Sequence, residues 1–499
     1  MHQDRPPLRG GARRADRLHL RARHRHTDQR PHRGEGGARG VRRPAAARQL
    51  DQVDDRPHHG RGQRVRRDRL QQGHRGGLPA PDGDRAGAGP RARRGAGRGS
   101  RRGAAGLRPG GAEPGARLRR QQRRDDIREV ALSLVLTETP LAITSCGVVS
   151  PAGLGLEPLE HALRHGLESR AEPEESPEDY PPRPLWAIPD LEVAELLGRK
   201  GLRHVDRFTK LGLVACRLAL DGIGGLDADA GADTGVVLAT NTGSLTSMVE
   251  VGIDTLVQEK PYLVNPGNFP NVVTNACTGQ VAIRNSLRAV NSVVSSGQAA
   301  SLAAIRFART AIEQRRAGRV LVGGVEELSP AAAWGWHLSG ALVDDAPVGE
   351  GCALFLVEDA EAVRASGRTA PAEMLACEVA YRGHGTAQEQ AEALTECVER
   401  ALERSGVSPG AVDTASLGAT NHWVRDDLER WALGEALGRP VPHVRVGEVL
   451  GELYSASGAM QLAALLALWR EPAREPRIGL VTSIGEDGNV GCLVVREWR

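Results

Sequence analysis

Residues 291–301 read NSVVSSGQAAS, and residues 319–324 follow as RVLVGG. The β-branched pair Val293 and Val294 favours a strand, and Ser295, Ser296 and Gly297 favour a turn. From Ala299 to residue 313 the apolar residues Ala299, Leu302, Ala303, Ile305, Phe307, Ala308 and Ile312 recur at helical spacing. Residues 319–322 then form a second buried strand, ended by Gly323 and Gly324. A strand, a sharp turn and a helix together display a nucleophile: the elbow side chain is exposed and the helix N–H groups face it. The elbow residue here is Gln298, and a carboxamide does not act as a nucleophile. The site is laid out for a nucleophile and holds none.

On these residues the chain resembles the ketosynthases of the thiolase superfamily, whose acyl-accepting Cys sits in a TACxSG-type turn one helix before a strand ending in Gly-Gly. Gln298 falls on the Cys position, and Gln there resembles the chain-length factor, the partner subunit of type II polyketide ketosynthases. Four other stretches support the resemblance: TGQVAIRN (278–285), WGW (334–336), GELYSASGA (451–459) and ITSCGVVSPAGLG (143–155). The resemblance covers residues 138–499. It implies an α/β thiolase-like fold, two related βαβ halves (136–365 and 366–499) forming a five-layered αβαβα sandwich. It also implies a heterodimer with a ketosynthase alpha subunit, an acyl carrier protein bearing the growing chain, and no cofactor or metal.

Condensation by such enzymes needs two His residues to activate the malonyl unit and stabilise the enolate, with a Lys nearby. The first His position follows the strand after Val412 and Asp413, where Gly418 stands, judged by its spacing to Asp426 and Glu429. A shift of register would instead put His422 there. The second position, in GELYSASGA, is Glu452, and the Lys position five residues earlier is Gly447. No catalytic residue is therefore expected. His384 in GHGTAQ has the motif's letters but precedes a helix, and reads as a surface decoy. Cys277 in NACTGQ mimics the nucleophile turn, but it lies 47 residues before Gly324 where Gln298 lies 26, so it reads as an ordinary buried Cys. The Asp344–Gly351 stretch DDAPVGEG resembles a ketosynthase loop that has lost the Pro-Phe-Asp before it.

Residues 235–240 read as a core strand and 245–258 as a helix, on which family members place the residues that stop the growing chain. Met248, Val249, Gly252 and Ile253 are the candidates for the chain-length tunnel. None is aromatic and Gly252 leaves a gap, which implies a deep tunnel, although packing of the core would explain the same residues. Residues 199–220 alternate basic and apolar residues at helical spacing; Lys200, Arg203, Arg207 and Lys210 read as a solvated face rather than a carrier-protein dock.

Composition divides the 499 residues unevenly. Residues 1–130 contain no Phe, Trp, Tyr, Lys or Cys, and Arg outnumbers Asp and Glu there by more than two to one. The net charge of +4 for the whole chain therefore hides an acidic remainder. The seven Cys are scattered singly, which suits reduced thiols in a cytoplasmic protein rather than disulfides or zinc. No signal-peptide core or run of about 18 apolar residues occurs, so no membrane segment is expected.

An Arg-rich segment without aromatics would suit a disordered extension or a nucleic-acid-binding arm. A third reading is out-of-frame translation of an upstream gene. Shifted by one base, RARHRHTDQR (21–30) can yield AHGTAT, DQVDDRPHHGRGQ (51–63) can yield TKSTTGHTTGAAS, and RLRRQQ (117–122) can yield GFGGNN. These resemble the two His motifs, the Lys and the closing Gly-rich loop of an active ketosynthase, in order. Residues 1–135 are on this reading a trace of the gene for the catalytic partner, and no nucleic acid is expected to bind. Two functions follow from the rest. One is a non-catalytic chain-length factor. The other is a Gln-type malonyl-carrier decarboxylase, which would need the His residues that Gly418 and Glu452 replace.

Overall fold

The computed structural model describes residues 138–499 apart from 168–172, 174–176, 190, 384 and 472. Residues 1–135 and His384 lie outside the described residues, as does part of the acidic loop at 172–184.

Ten strands form two sets of five on one plan. The first set is β1 (Leu141–Ser150), β2 (Thr234–Ala239), β3 (Asn291–Val294), β4 (Arg319–Glu326) and β5 (Gly351–Asp359). The second is β6 (Ala372–Tyr381), β7 (Thr414–Ser416), β8 (His443–Val444), β9 (Ile478–Ile484) and β10 (Asn489–Glu497). Their spatial orders are β3-β2-β4-β5-β1 and β8-β7-β9-β10-β6. In each set the first three strands run parallel and the fourth is antiparallel to both neighbours. The sets join where β1 pairs antiparallel with β6, Leu141 opposite Met374. A duplication that leaves no visible sequence repeat is thus a strict repeat of topology.

The helices complete five layers. Helices α1 (Arg207–Asp221), α3 (Ala276–Asn285), α4 (Ala300–Glu313), α6 (Ala387–Ser405), α7 (Arg425–Leu437) and α8 (Ser457–Leu468) do this work; α2 (Leu245–Val257) and α5 (Pro330–Ser339) lie beside the site. The buried side chains of α1 and α3 cluster with Val236 and Leu238 of β2, whereas Val237 and Ala239 join the cluster of α4 and α8. Alternate residues of one strand thus feed two different cores, as the period of two requires. Helices α6 and α7 cover the second sheet's outer face. Helix α8, SGAMQLAALLAL, is apolar on all sides because it lies between sheets, and residues 458–467 are all buried.

Several elements depart from the sequence reading. Gly323 and Gly324 do not end β4, which continues to Glu326. Gly323 is required because a Cβ there would collide with the carbonyl oxygen of Ala353 on β5. The helix expected from residue 199 starts at Arg207, where the Asp206 carboxylate caps it by accepting from Thr209 N at 2.8 Å. Lys200 and Arg203 therefore precede the helix, and Arg207 is not a solvated residue but pairs with buried Glu350 at 2.5 Å. Among the described residues no helix is long and apolar enough to cross a membrane.

A Gly323→Ala chain is expected to lose about 3 kcal/mol or more, since the obstacle is backbone that cannot swing aside. Chemical denaturation would read this loss, and a stability equal to the unsubstituted chain would refute the packing argument.

Candidate functional site

The elbow forms where β3 gives way to α4. Gly297 has φ +55°, and a Cβ at this position would also run into the Asp487 carboxylate, so only glycine fits. The turn is held by Ser295 Oγ donating to Thr240 O at 2.6 Å and Gly297 N donating to Asn241 Oδ1 at 3.3 Å. Gln298 follows, 2 % exposed, and its Nε2 makes no hydrogen bond. It lines a cavity of about 670 Å³ with Glu326, Glu327, Trp336, Arg425, Glu452 and Tyr454, and with Glu486 and Asp487 of the β9–β10 turn.

Of the positions in the second half read as vacant, one reaches this cavity. Gly418 lies just past β7, where its N–H and that of Ala419 donate to buried Glu429 at 3.0 and 2.7 Å. A Cβ at Gly418 would come within 2.7 Å of Thr482 O. Gly447 sits on a short helix, with the Asn421 amide donating to its carbonyl at 3.4 Å. Neither glycine lines the cavity, whereas Glu452 does.

An imidazole nevertheless backs the cavity wall. His422, four residues after Gly418, is 2 % exposed, and its Nε2 is 2.7 Å from Glu452 Oε2. The other Glu452 oxygen accepts from Tyr454 N at 2.7 Å. His422 Nδ1 lies 4.0 Å from Glu486, which in turn pairs with Arg425. Trp336 stands edge-on to both His422 and Tyr454, at centroid distances of 5.6 and 5.3 Å. The shortened stretch before Gly351 supports this pair: Trp423 N donates to Ala341 O at 2.9 Å, and Glu452 N donates to Pro347 O at 2.9 Å. Asn421, Val424 and Tyr454 all have positive φ, so strained backbone surrounds the pair. Spacing pointed to Gly418 with His422 as the alternative register, and the turn after Gly418 carries His422 to Glu452.

Two further carboxylates were not singled out by the sequence. Glu326 is buried at the end of β4 and accepts from Asn241 N at 3.0 Å, Thr242 Oγ1 at 2.7 Å and the Ser455 hydroxyl. Burial raises its pKa. Burial also lifts neighbouring Glu327 to about 7, against donation from Thr246 N at 2.9 Å. Their adjacency to the Gly323-Gly324 strand was the available signal.

The chain-length candidates sit elsewhere. None of Met248, Val249, Gly252 and Ile253 lines the cavity, and none packs the core. Met248 and Ile253 are 42 % and 52 % exposed, and Gly252 is exposed with nothing within 4 Å of an added Cβ. Leu256, Val257, Tyr262, Leu263 and Phe269, close by in the chain, are exposed as well. Cys277 is buried inside α3, and burial raises its pKa far above the usual thiol value.

Comparison with known proteins agrees with this architecture. The family described as β-ketoacyl synthase, N-terminal domain matches residues 138–370, and the corresponding C-terminal domain matches 372–478. A polyketide β-ketoacyl synthase 2 of Streptomyces halstedii is 28 % identical over 402 residues, covering 71 % of this chain and 96 % of that protein. The 3-oxoacyl-[acyl-carrier-protein] synthase 2 of Coxiella burnetii is 25 % identical, covering 70 % and 90 %. Among solved structures, the ishigamide ketosynthase/chain length factor superposes with TM-score 0.63 at 33 % identity, covering 72 % of this chain and 99 % of that one. A type II polyketide acyl-carrier protein in complex with its ketosynthase shares the fold, with TM-score 0.60 at 19 % identity.

The buried His–Glu pair gives the chain a characteristic pH dependence. Burial works against a charge on His422, but Glu452 and Glu486 outweigh it and lift the pKa from 6.5 to about 9. A raised His pKa stabilises the fold fully below the unfolded value near 6.5, and that stabilisation is lost as pH rises through 9. The difference corresponds to on the order of 3 kcal/mol. The melting temperature is expected to fall between pH 6.5 and 9.5, and a His422→Gln chain to show a shallower fall. Thermal denaturation across pH would check this, and identical profiles for the two chains would count against the pair.

Proposed function

Because the chain belongs to the β-ketoacyl synthase family, in the ketosynthase-β group of type II polyketide synthases, we propose that it acts as a non-catalytic chain-length factor. It pairs with an active ketosynthase alpha subunit and shapes the tunnel in which a carrier-bound polyketide grows by decarboxylative condensation. The observation that carries this reading is the content of the elbow site. Gln298 cannot accept an acyl group, and the imidazole behind the cavity wall has its Nε2 bound to Glu452. Enolate stabilisation needs a donor aimed at the developing oxyanion, and a carboxylate held at the cavity wall opposes that charge.

The exposed apolar surface of α2 supports a partner seated over Met248, Val249, Gly252 and Ile253. In this reading the tunnel is completed only between subunits, which accounts for candidates that stand on the outside of the single chain. Strand β3 pairs on one side with β2, and β2 pairs with β4 on its other side. Among the described residues β3 ends the sheet, and its outer edge offers backbone groups to a partner strand. An obligate interface of this kind buries roughly 2,000–5,000 Å² in total. The halves 136–365 and 366–499 are proposed to act as one unit, with residues 1–135 an out-of-frame segment that the natural protein lacks.

The Gln-type decarboxylase is the second reading, favoured by the presence of His422 and opposed by its pairing with Glu452. The purified chain is expected to leave malonyl-carrier protein unchanged; release of carbon dioxide above background would favour decarboxylation. In a co-expressed heterodimer, Gly252→Phe is expected to shorten the polyketide by at least one extension unit, read by mass spectrometry. The exposed glycine leaves room for the ring within this chain, so an unchanged product length would overturn the tunnel assignment.

A further inference from the structure

We propose that Glu452, fixed by His422, makes the elbow cavity a charge filter that admits an uncharged acyl thioester arm and rejects one ending in a carboxylate. The inference rests on the reading of the chain as a polyketide synthase subunit and assigns the old pocket a selectivity of its own.

Three observations carry it. First, Glu452 cannot turn away from an incoming anion. It is 7 % exposed, and each carboxylate oxygen is engaged, one by Tyr454 N and one by His422 Nε2, both at 2.7 Å. Second, each cation nearby already faces a carboxylate. His422 is covered and faces Glu452, while Arg425 pairs with Glu486 and also donates to Gln390. Glu486 and Asp487 add negative charge on the turn that borders the same cavity. Third, much of the remaining wall is apolar, from Leu245, Trp336, Val348 and Leu453, and Gln298 presents a buried carboxamide whose Nε2 has no partner. Such a wall with an unpartnered amide donor suits an acyl chain with a carbonyl oxygen. A carboxylate at the end of that chain would meet Glu452 in a low-dielectric space without a free counter-ion.

The functional consequence is a division of labour by charge. An extender unit, which carries a carboxylate, is kept out of a pocket that could not use it. It is left to the catalytic partner. An uncharged acyl group can enter without consequence, because nothing at the elbow can accept it.

The test is titration calorimetry of the full chain with the amide analogues of acetyl-pantetheine and malonyl-pantetheine. The acetyl analogue is expected to bind at least tenfold more tightly, with Glu452→Gln bringing the ratio close to one. Gln keeps an oxygen for Tyr454 N and is nearly isosteric, so melting of the variant can be matched to the unsubstituted chain. Should it fail to fold, Glu486→Gln, at a half-exposed position, is expected to reduce the ratio partially. Equal binding of the two analogues, binding of neither, or a ratio unmoved by both substitutions would overturn the filter. Product length in the Gly252→Phe heterodimer is read separately, so failure of the filter is distinguishable from failure of the chain-length reading.

Discussion

The close approach of α4 to α8 in the middle layer is the contact on which the site depends. A Cβ on Gly458 would come within 3.0 Å of Ser301 Cβ, and Ser301 Oγ donates to Ser455 O at 2.5 Å. Gly324 makes the same demand from the sheet side, where a Cβ would come within 2.9 Å of Ala456 Cα. Small residues at this crossing let the N-termini of both central helices reach the same place. The elbow at Gln298 and the turn at Glu452–Ser455 come from opposite halves of the chain, and this packing brings them to one cavity. Interiors are close-packed, so a bulkier crossing would separate them.

Within that frame, the local chemistry has been turned from polar catalysis toward self-satisfied ion pairs. His422 holds Glu452, Arg425 holds Glu486, and Glu429 is occupied by the N–H groups of Gly418 and Ala419. A buried pair of this sort is costly to break from one side, because the remaining charge is left uncompensated. It also leaves little free donor capacity for a reaction intermediate. The surface of α2 shows the opposite state, with apolar side chains facing out and uncovered in the single chain.

How far the sequence could be read followed from the range of the forces involved. The elbow, its helix and the order of strands and helices were legible, because periodicity and turn residues act within a few positions. Gly418 was read from its spacing to Asp426 and Glu429, and Glu452 and Gly447 from the GELYSASGA motif. The start of α1 was misread because one capping carboxylate, Asp206, outweighed a basic and apolar alternation that runs on through it. His422 was visible only as a register alternative to Gly418, and its pairing was not legible, since its partner lies 30 residues away and the turn that carries it needs positive φ at Asn421 and Val424. Glu326 and Glu327 escaped notice because a carboxylate at a strand end looks like a solvated one until its donors are known.

The amino-acid sequence by itself determined the family plan, two βαβ halves on the thiolase pattern, and the absence of a nucleophile at position 298. Those are matters of local pattern and residue identity, and no partner is needed to specify them. Only the tertiary structure decided that an imidazole still reaches the site, that a carboxylate holds it, and that the chain-length candidates face outward. Each of these depends on which distant segments touch, and therefore on the packing of two central helices between two sheets.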